Sequence, residues 1–163
     1  MHRSSLFLAA GTLLLLSSNA QGAKPGHSFT FDDVQVGAIT ISGRGIYDPA
    51  TGFVQAGGRF VATQDITQGP FAGLHAGEGI RWRATELLAN APFKCVGPDP
   101  LKTALTDDDT VVFKATFHQQ GSSAHDGATA AVFVSRLDLD PDQPGIQNVW
   151  IQLVGCGEAN VQF

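Results

Sequence analysis

Residues 39–63 read ITISGRGIYDPATGFVQAGGRFVAT, and this stretch decides the fold. Two runs of alternating apolar and polar residues flank the segment DPATG, residues 48–52. Aspartate at the start of a turn, proline at the next position and a closing glycine suit a type I turn that ends in a left-handed residue. The pattern therefore predicts a β-hairpin in which strands 39–47 and 53–63 pair antiparallel.

The register of this hairpin follows from which residues face the core. Pairing Tyr47 with Phe53 places Arg59 beside the apolar Ile41. A one-residue bulge at Gly57-Gly58 restores apolar pairing and turns Arg59 to the other face, because side chains alternate along a strand. We therefore expect a glycine bulge in the second strand.

The rest of the chain continues as short alternating runs between turn residues, with almost no segment of helical period. Further strands are predicted at 28–36 with a bulge at Asp32-Asp33, 80–88, 110–118, 131–140, 149–153 and 159–163. Inward positions in the last long runs are expected for Phe133, Leu137, Leu139, Val149, Ile151 and Leu153. About eight strands in 28–163 predict one antiparallel all-β domain. A closed barrel is favoured over a β-sandwich, because closure leaves no open sheet edge.

Residues 1–20 have the pattern of a secretory signal peptide. A positively charged start precedes the apolar run 6–16, and small residues lead up to Ala20. The apolar run is too short to span a bilayer, so the sequence argues against a membrane anchor. We expect cleavage near Ala20, a flexible segment at 21–27 and a secreted or periplasmic protein.

Cys95 and Cys156 are the two cysteines of the chain. An even number of cysteines in an exported protein predicts a disulfide, because thiols oxidise outside the cytoplasm. A bridge that closes a loop of this length stabilises a fold by roughly 4 kcal/mol on the chain-entropy model. The wide separation differs from the Cys-x-x-Cys pair of redox enzymes, so the bridge is expected to be structural.

The balance of charge is acidic, with 10 lysines and arginines against 15 aspartates and glutamates. No basic run is present, which argues against nucleic acid as a partner. Alternation places Arg44, Arg59, Arg81 and Arg83 on the outward side of neighbouring strands. Guanidinium groups in such an array suit a carboxylate, a sulfate or an acidic polysaccharide, and the alternative is an ordinary solvated face.

Catalytic candidates are Glu86 and His75. Glu86 falls on the inner face of its strand unless the strand ends or bulges before it. With Tyr47, Trp82 and His75 near a barrel mouth, it would form an acid/base pocket. The alternative is a strand end with Glu86 in solvent. The run Ser-Ser-Ala-His-Asp at 122–126 gives no evidence of a triad, because a triad is made by geometry across a fold.

No metal site and no cofactor are predicted. His27, His75, His118 and His125 lack the close spacing of zinc ligands. The acidic runs 107–109 and 138–142 favour solvated turns over calcium loops. The second run contains Pro141 and lacks the glycine and terminal glutamate of an EF-hand.

The runs 42–52, 56–60 and 81–88 resemble a family of uncharacterised secreted bacterial proteins. In that family a GxGxYxPxTGxVxxGGxF hairpin precedes a GxWxATxLL strand, and the likeness covers residues 42–96. The resemblance brings no activity with it. A second likeness, to allene oxide cyclase and dirigent-type barrels, implies an eight-stranded barrel with a lumenal pocket.

Three functional hypotheses follow. The preferred one is an exported, disulfide-stapled β module with a non-catalytic binding or structural role. Its ligand would be a small apolar molecule in the barrel or an anionic glycan on the arginine face. The alternative is a small secreted enzyme of cyclase or isomerase type that uses Glu86 or His75. A second alternative is an eight-stranded outer-membrane barrel, because the run 157–163 alternates and ends in phenylalanine.

Overall fold

The computed structural model describes residues 26–69, 71–95, 97–119 and 128–163, and these residues form β-strands and no helix. The strands are β1 (His27–Val36), β2 (Ile39–Asp48), β3 (Phe53–Ala62), β4 (Gly79–Leu87), β5 (Asn90–Phe93), β6 (Lys102–Leu105), β7 (Thr110–Gln119), β8 (Ala128–Ser135), β9 (Val149–Ile151), β10 (Gly155–Gly157) and β11 (Asn160–Gln162). The predicted all-β fold is confirmed. The described residues hold eleven strands rather than about eight, because the sequence pattern does not predict the short β5, β6 and β10. His27, assigned from the sequence to the N-terminal segment, is the first residue of β1.

Nine strands form one antiparallel sheet in the order β10-β9-β8-β7-β4-β3-β2-β1-β11. The sheet curls into a half-barrel, while β5 and β6 form a separate hairpin. The two outermost strands, β10 and β11, are separated in sequence only by Glu158 and Ala159. The C-terminal segment therefore joins one edge of the sheet to the other.

The hairpin of β2 and β3 has the predicted pairing at its far end, where Ile41 lies opposite Phe60. The predicted bulge at Gly57-Gly58 is wrong, because the register runs without interruption from Asp48 opposite Phe53. The turn is one residue shorter than the sequence suggests, because Asp48 and not Tyr47 pairs with Phe53. No bulge is therefore needed to bring Ile41 opposite Phe60.

The turn itself has the predicted chemistry. The Asp48 carboxylate accepts hydrogen bonds from the Ala50 amide at 2.9 Å and from the Thr51 hydroxyl at 2.8 Å. These bonds, that from Thr51 foremost, lower the pKa of Asp48. The Gly52 amide donates to the Asp48 carbonyl at 2.9 Å, and Gly52 adopts φ +73°, where glycine is favoured.

Bulges occur in two other strands. β1 shifts register between Phe31 and Val34, which confirms the bulge expected at Asp32-Asp33. β4 shifts between Ala84 and Glu86, where its pairing with β7 is irregular. Because a bulge reverses which side chains face outward, the second shift decides the position of Glu86.

The inner side of the curled sheet is filled by buried side chains. The largest are Phe29, Phe31, Tyr47, Phe60, Trp82, Phe113 and Phe117. Loop 63–78 contributes Phe71 and Leu74 to this core. The ring of Phe71 lies 4.7 Å from that of Phe60 and 5.0 Å from that of Phe117. The Gly-rich loop therefore packs onto the core at this point.

A second apolar cluster lies on the outer side of β7, β8 and β9, against the hairpin of β5 and β6. Its buried members are Phe93, Ala104, Val112, Phe133 and Trp150. The predicted inward position of Phe133 is wrong, since Val132 and Val134 face the main core instead. β8 is buried on both sides, so its sequence lacks the alternation that would identify the inner face.

Leu137 and Leu153 also depart from the expected inward positions. Both are exposed, because β8 ends at Ser135 and β9 ends at Ile151. Their runs continue the alternation of apolar residues beyond the strands themselves.

The predicted disulfide between Cys95 and Cys156 is present. It ties the segment after β5 to β10, which is an edge strand of the large sheet. Next to it, the indole nitrogen of Trp150 donates to the Lys94 carbonyl at 3.0 Å. The small hairpin is thus held to the sheet covalently, by a hydrogen bond and by the second cluster. Such a bond is compatible with an oxidising, exported environment.

Candidate functional site

The four predicted arginines come together on the outer face of β2, β3 and β4. Arg59 of β3 lies directly opposite Arg81 of β4. In the next outward row, Gly57 of β3 lies between Arg44 of β2 and Arg83 of β4. All four side chains are exposed. The expectation that they share the outward side of neighbouring strands therefore holds in the structure.

These arginines line a depression of about 960 Å³, which we call the arginine groove. Its lining residues are Thr30, Asp32, Ser42, Gly43, Arg44, Gly57, Gly58, Arg59, Arg81, Trp82, Arg83 and His118. The groove crosses five strands, from β1 to β7. A neighbouring depression of about 750 Å³ shares Thr30, Arg44, Gly57 and Arg83 with it and continues to Ile46.

The floor of the groove is made by glycines that pack onto Trp82 from outside. A Cβ atom on Gly43 would lie 2.1 Å from the Trp82 ring, and one on Gly58 would lie 2.0 Å from the Ser42 carbonyl oxygen. The indole nitrogen of Trp82 donates to that same carbonyl at 3.1 Å. Only glycine allows this close approach of strand and ring, so the floor is fixed by the core beneath it.

Among the residues that the structure describes, the lysines and the arginine outside the groove have partners within the protein. The Lys114 ammonium lies 2.6 Å from the Glu86 carboxylate, Arg136 pairs with Asp109, and Lys102 pairs with two aspartates. The Lys94 ammonium donates to the Gly97 carbonyl at 3.1 Å.

Inside the groove the situation differs. Within the part of the chain that the structure describes, the side chains of Arg44, Arg81 and Arg83 make no ion pair or hydrogen bond. The groove therefore gathers three arginines that pair with no described residue, beside Arg59 and Asp32, in a protein of formal net charge −5.

The catalytic candidates are not brought together. Glu86 lies beyond the bulge of β4, its side chain 54% exposed beside Lys114. His75 lies in the loop before β4 with a side chain 72% exposed, and its Nδ1 is 3.4 Å from the Asp65 carboxylate. The amide of Ala76 donates to Asp65 and is the main reason why the pKa of Asp65 is lowered. The two candidates thus occupy opposite ends of β4, both in solvent.

Tyr47 and Trp82, the other proposed members of that pocket, are buried in the main core. The Tyr47 hydroxyl donates to the Asp107 carbonyl at 2.7 Å. Burial and the nearby carboxylates of the run 107–109 raise the pKa of Tyr47. Both residues are structural in this arrangement.

The acidic run 138–142 binds a lysine of its own protein. Lys102 of β6 pairs with the buried carboxylate of Asp140 and with Asp142, the latter at 2.7 Å. These hydrogen bonds raise the pKa of Lys102. No group of three or more potential ligands for a metal ion occurs among the described residues. The run 122–126, which includes His125, lies outside them.

Sequence reasoning missed two contributors to the groove. The sequence pattern predicts a bulge at Gly57 and points to His118 only as a possible metal ligand. The cross-strand register could have found both, because Gly57 lies opposite Arg83 and His118 lies opposite Arg81.

Comparison with known protein families, with curated proteins and with solved structures finds no match to this chain. In the residues that the structure describes, there is no helix of the length and apolarity needed to cross a membrane.

Proposed function

We propose that this chain is an exported binding module without catalytic activity that holds an anionic glycan in the arginine groove. The observation that carries the proposal is that Arg44, Arg81 and Arg83, which line the groove together with Arg59, pair with no residue that the structure describes. Planar guanidinium groups bind carboxylates and sulfates through two parallel hydrogen bonds. A row of such groups across a sheet suits a polymer that carries these anions.

Export is supported by two features. The signal-like pattern of residues 1–20 and the disulfide between Cys95 and Cys156 both fit a protein that works in the periplasm or outside the cell. The resemblance to secreted bacterial proteins points the same way. Acidic polysaccharides occur in these compartments.

The position of the groove favours the glycan over the other hypotheses. The inner side of the sheet, where a small apolar ligand would lie, is filled by aromatic rings such as Phe31 and Phe113. The outward arginines also differ from the apolar outward band of an outer-membrane barrel. The enzyme hypothesis gains no support, because Glu86 and His75 lie apart on the surface.

The proposal is tested by retention on immobilised heparin and on alginate across a salt gradient. The double variant Arg81→Ala with Arg83→Ala should bind more weakly by up to about thirtyfold, because each exposed charged contact contributes up to about 1 kcal/mol. Its salt dependence should also be shallower, since fewer counterions are released. The matched control is Lys114→Ala with Arg136→Ala, which removes two positive charges elsewhere and should bind as the wild type does.

Unchanged retention of the groove variant would overturn the proposal. Competition decides the class of ligand. Soluble alginate should displace the protein from heparin at lower concentrations than polyglutamate or single-stranded DNA of equal charge. If either of those competitors were stronger, the groove would bind a peptide or a nucleic acid instead.

A further inference from the structure

The arginine groove contains two separate rows of positive charge. In the first row Arg59 and Arg81 are direct cross-strand neighbours. In the second row Arg44 and Arg83 lie on either side of Gly57. The rows are two residues apart along each strand, which corresponds to about 7 Å at the rise of an extended chain.

Gly57 makes the second row different from the first. It lies on the outward side of β3 between two arginine-bearing strands, so the main chains of Arg44 and Arg83 are about 10 Å apart. With no side chain at Gly57, the space between the two guanidinium groups has a backbone floor. A carboxylate or a sulfate fits into that space with a guanidinium group on each side.

The first row has no such gap. Arg59 and Arg81 stand side by side, and because each guanidinium group carries five N–H donors, one anionic group above them can accept hydrogen bonds from both. Each row therefore offers a place for one anionic group, and both places belong to one continuous groove.

We propose that the groove binds two anionic groups of a single glycan chain, one over Arg59 and Arg81 and one between Arg44 and Arg83, and that Gly57 makes room for the second. This inference rests on the proposed function and narrows its ligand to a glycan with anionic groups about 7 Å apart. Once the first group is bound, the second binds intramolecularly at a high effective concentration.

The experiment compares uronate oligomers of one and four units, prepared from alginate, by titration calorimetry of the whole protein at low salt. Four equivalent units raise affinity about fourfold by statistics alone. We expect the tetramer to bind at least about thirtyfold more tightly than the monomer, because it occupies both rows. Equal affinity after the statistical correction would overturn the inference.

Variants of the second row supply the decisive comparison. Arg44→Ala should reduce the preference for the tetramer to the statistical factor while the monomer still binds over Arg59 and Arg81. Arg136→Ala, which removes the same charge outside the groove, should keep the full preference. If Arg44→Ala also keeps it, the second row does not bind.

Gly57→Val tests the gap itself. A Cβ atom at Gly57 would lie 3.0 Å from the Trp82 carbonyl oxygen, so its folding is checked by thermal unfolding. We expect the same loss of preference as in Arg44→Ala, while Gly79→Val in β4, where a Cβ atom would come no closer than 3.4 Å to a neighbouring atom, should bind normally. Should Gly57→Val not fold, Arg44→Ala alone decides. A wild type that binds neither oligomer nor heparin would instead refute the proposed function.

Discussion

Tyr47, the single tyrosine of the chain, joins two distant parts of the fold. Its ring is fully buried against Phe29 and Phe163, and its hydroxyl donates to the carbonyl of Asp107 in the turn before β7. Burial raises the pKa of the hydroxyl most, and the nearby carboxylates of residues 107–109 raise it further. The native protein therefore keeps Tyr47 protonated well above the pH at which a free tyrosine ionises.

Tyr47→Phe should lower the free energy of unfolding by about 1 kcal/mol at neutral pH, because it removes one hydrogen bond and leaves the ring in place. The raised pKa determines how this difference changes with pH. Below about pH 10 both states of the wild type hold the proton, and above it only the native state does. The stability of the wild type therefore falls by up to about 1.4 kcal/mol per pH unit from there, a contribution that the variant lacks.

Urea unfolding of both proteins between neutral pH and pH about 11 measures this difference. Tyrosinate absorbance should rise only as the wild type unfolds. Absorbance that rises in the folded protein with the pKa of a free tyrosine would show that the hydroxyl is accessible. Because Tyr47→Phe leaves every other side chain in place, the two proteins differ only in the tyrosine hydroxyl.

The outward position of the four arginines follows from the sequence. That Arg44, Arg81 and Arg83 pair with no described residue does not. Alternation along β4 is enough to place Arg81 and Arg83 on the same face. That Lys114 pairs with Glu86 while Arg83 pairs with no described residue depends on the bulge in β4, which reverses the face at its end. The alternation of apolar and polar residues does not determine whether a strand shifts its register by one residue at such a bulge.

Among the elements, the hairpin of β2 and β3 could be predicted because turn chemistry and alternation agree. Asp48 and Gly52 fix the turn, and the inward apolar residues fix the pairing. The hairpin of β5 and β6 could not, since its strands are four residues long and β5 contains Pro92. The sequence also assigns Phe133 of β8 to the wrong face of the sheet. The hairpin of β5 and β6 buries the outer face of β8, so apolar residues occur on both of its faces.

The disulfide holds the small hairpin of β5 and β6 against the large sheet. It closes a loop of 61 residues and anchors the segment after β5 to β10. Replacing both Cys95 and Cys156 by alanine should lower the free energy of unfolding by up to about 4 kcal/mol on the chain-entropy model. Hydrogen exchange should show the first loss of protection in β5 and β6, which are paired with each other but not with the large sheet.

Urea unfolding and exchange of the wild type, with and without a reductant, provide the comparison for this double variant. Loss of protection that begins in β2 and β3 would contradict the assignment of the bond to the small hairpin. An unchanged midpoint would show that the second apolar cluster holds the hairpin without it.

At the scale of the whole molecule, the C-terminal segment links the two edges of the sheet. β10 approaches β1 so closely that a Cβ atom on Gly157 would lie 2.5 Å from the Gln35 carbonyl oxygen. The side chain of Asn148 holds the linker through two hydrogen bonds with the main chain of Ala159, at 2.9 and 2.7 Å. β11 then pairs with β1 on the other side. The sheet therefore ends in the three-residue strands β10 and β11, while the ten-residue β1 is paired on both sides.

Deletion of residues 160–163 should break this link between the two edges of the sheet and leave β1 as an edge strand. It removes β11 and the ring of Phe163, which lies 6.1 Å from Phe29 and 6.2 Å from Tyr47. Lost apolar burial and aromatic contacts together predict a decrease of about 2 to 4 kcal/mol in the free energy of unfolding. Because the exposed edge of β1 can pair with another molecule, the truncated protein should also self-associate.

Hydrogen exchange and sedimentation velocity measure these two effects, with Gln162→Ala as the control that keeps the main-chain pairing of β11. Amides of β1 that face β11 should lose protection, while those between β7 and β8 should keep it, since their pairing is remote from the cut. A uniform loss of protection in all strands would mean that the C-terminal link supports the entire sheet.

The arginine groove offers an independent readout, because its floor lies on β2, β3 and β4. We expect the truncated protein to keep its affinity for heparin. That result would show that the binding surface does not need β11.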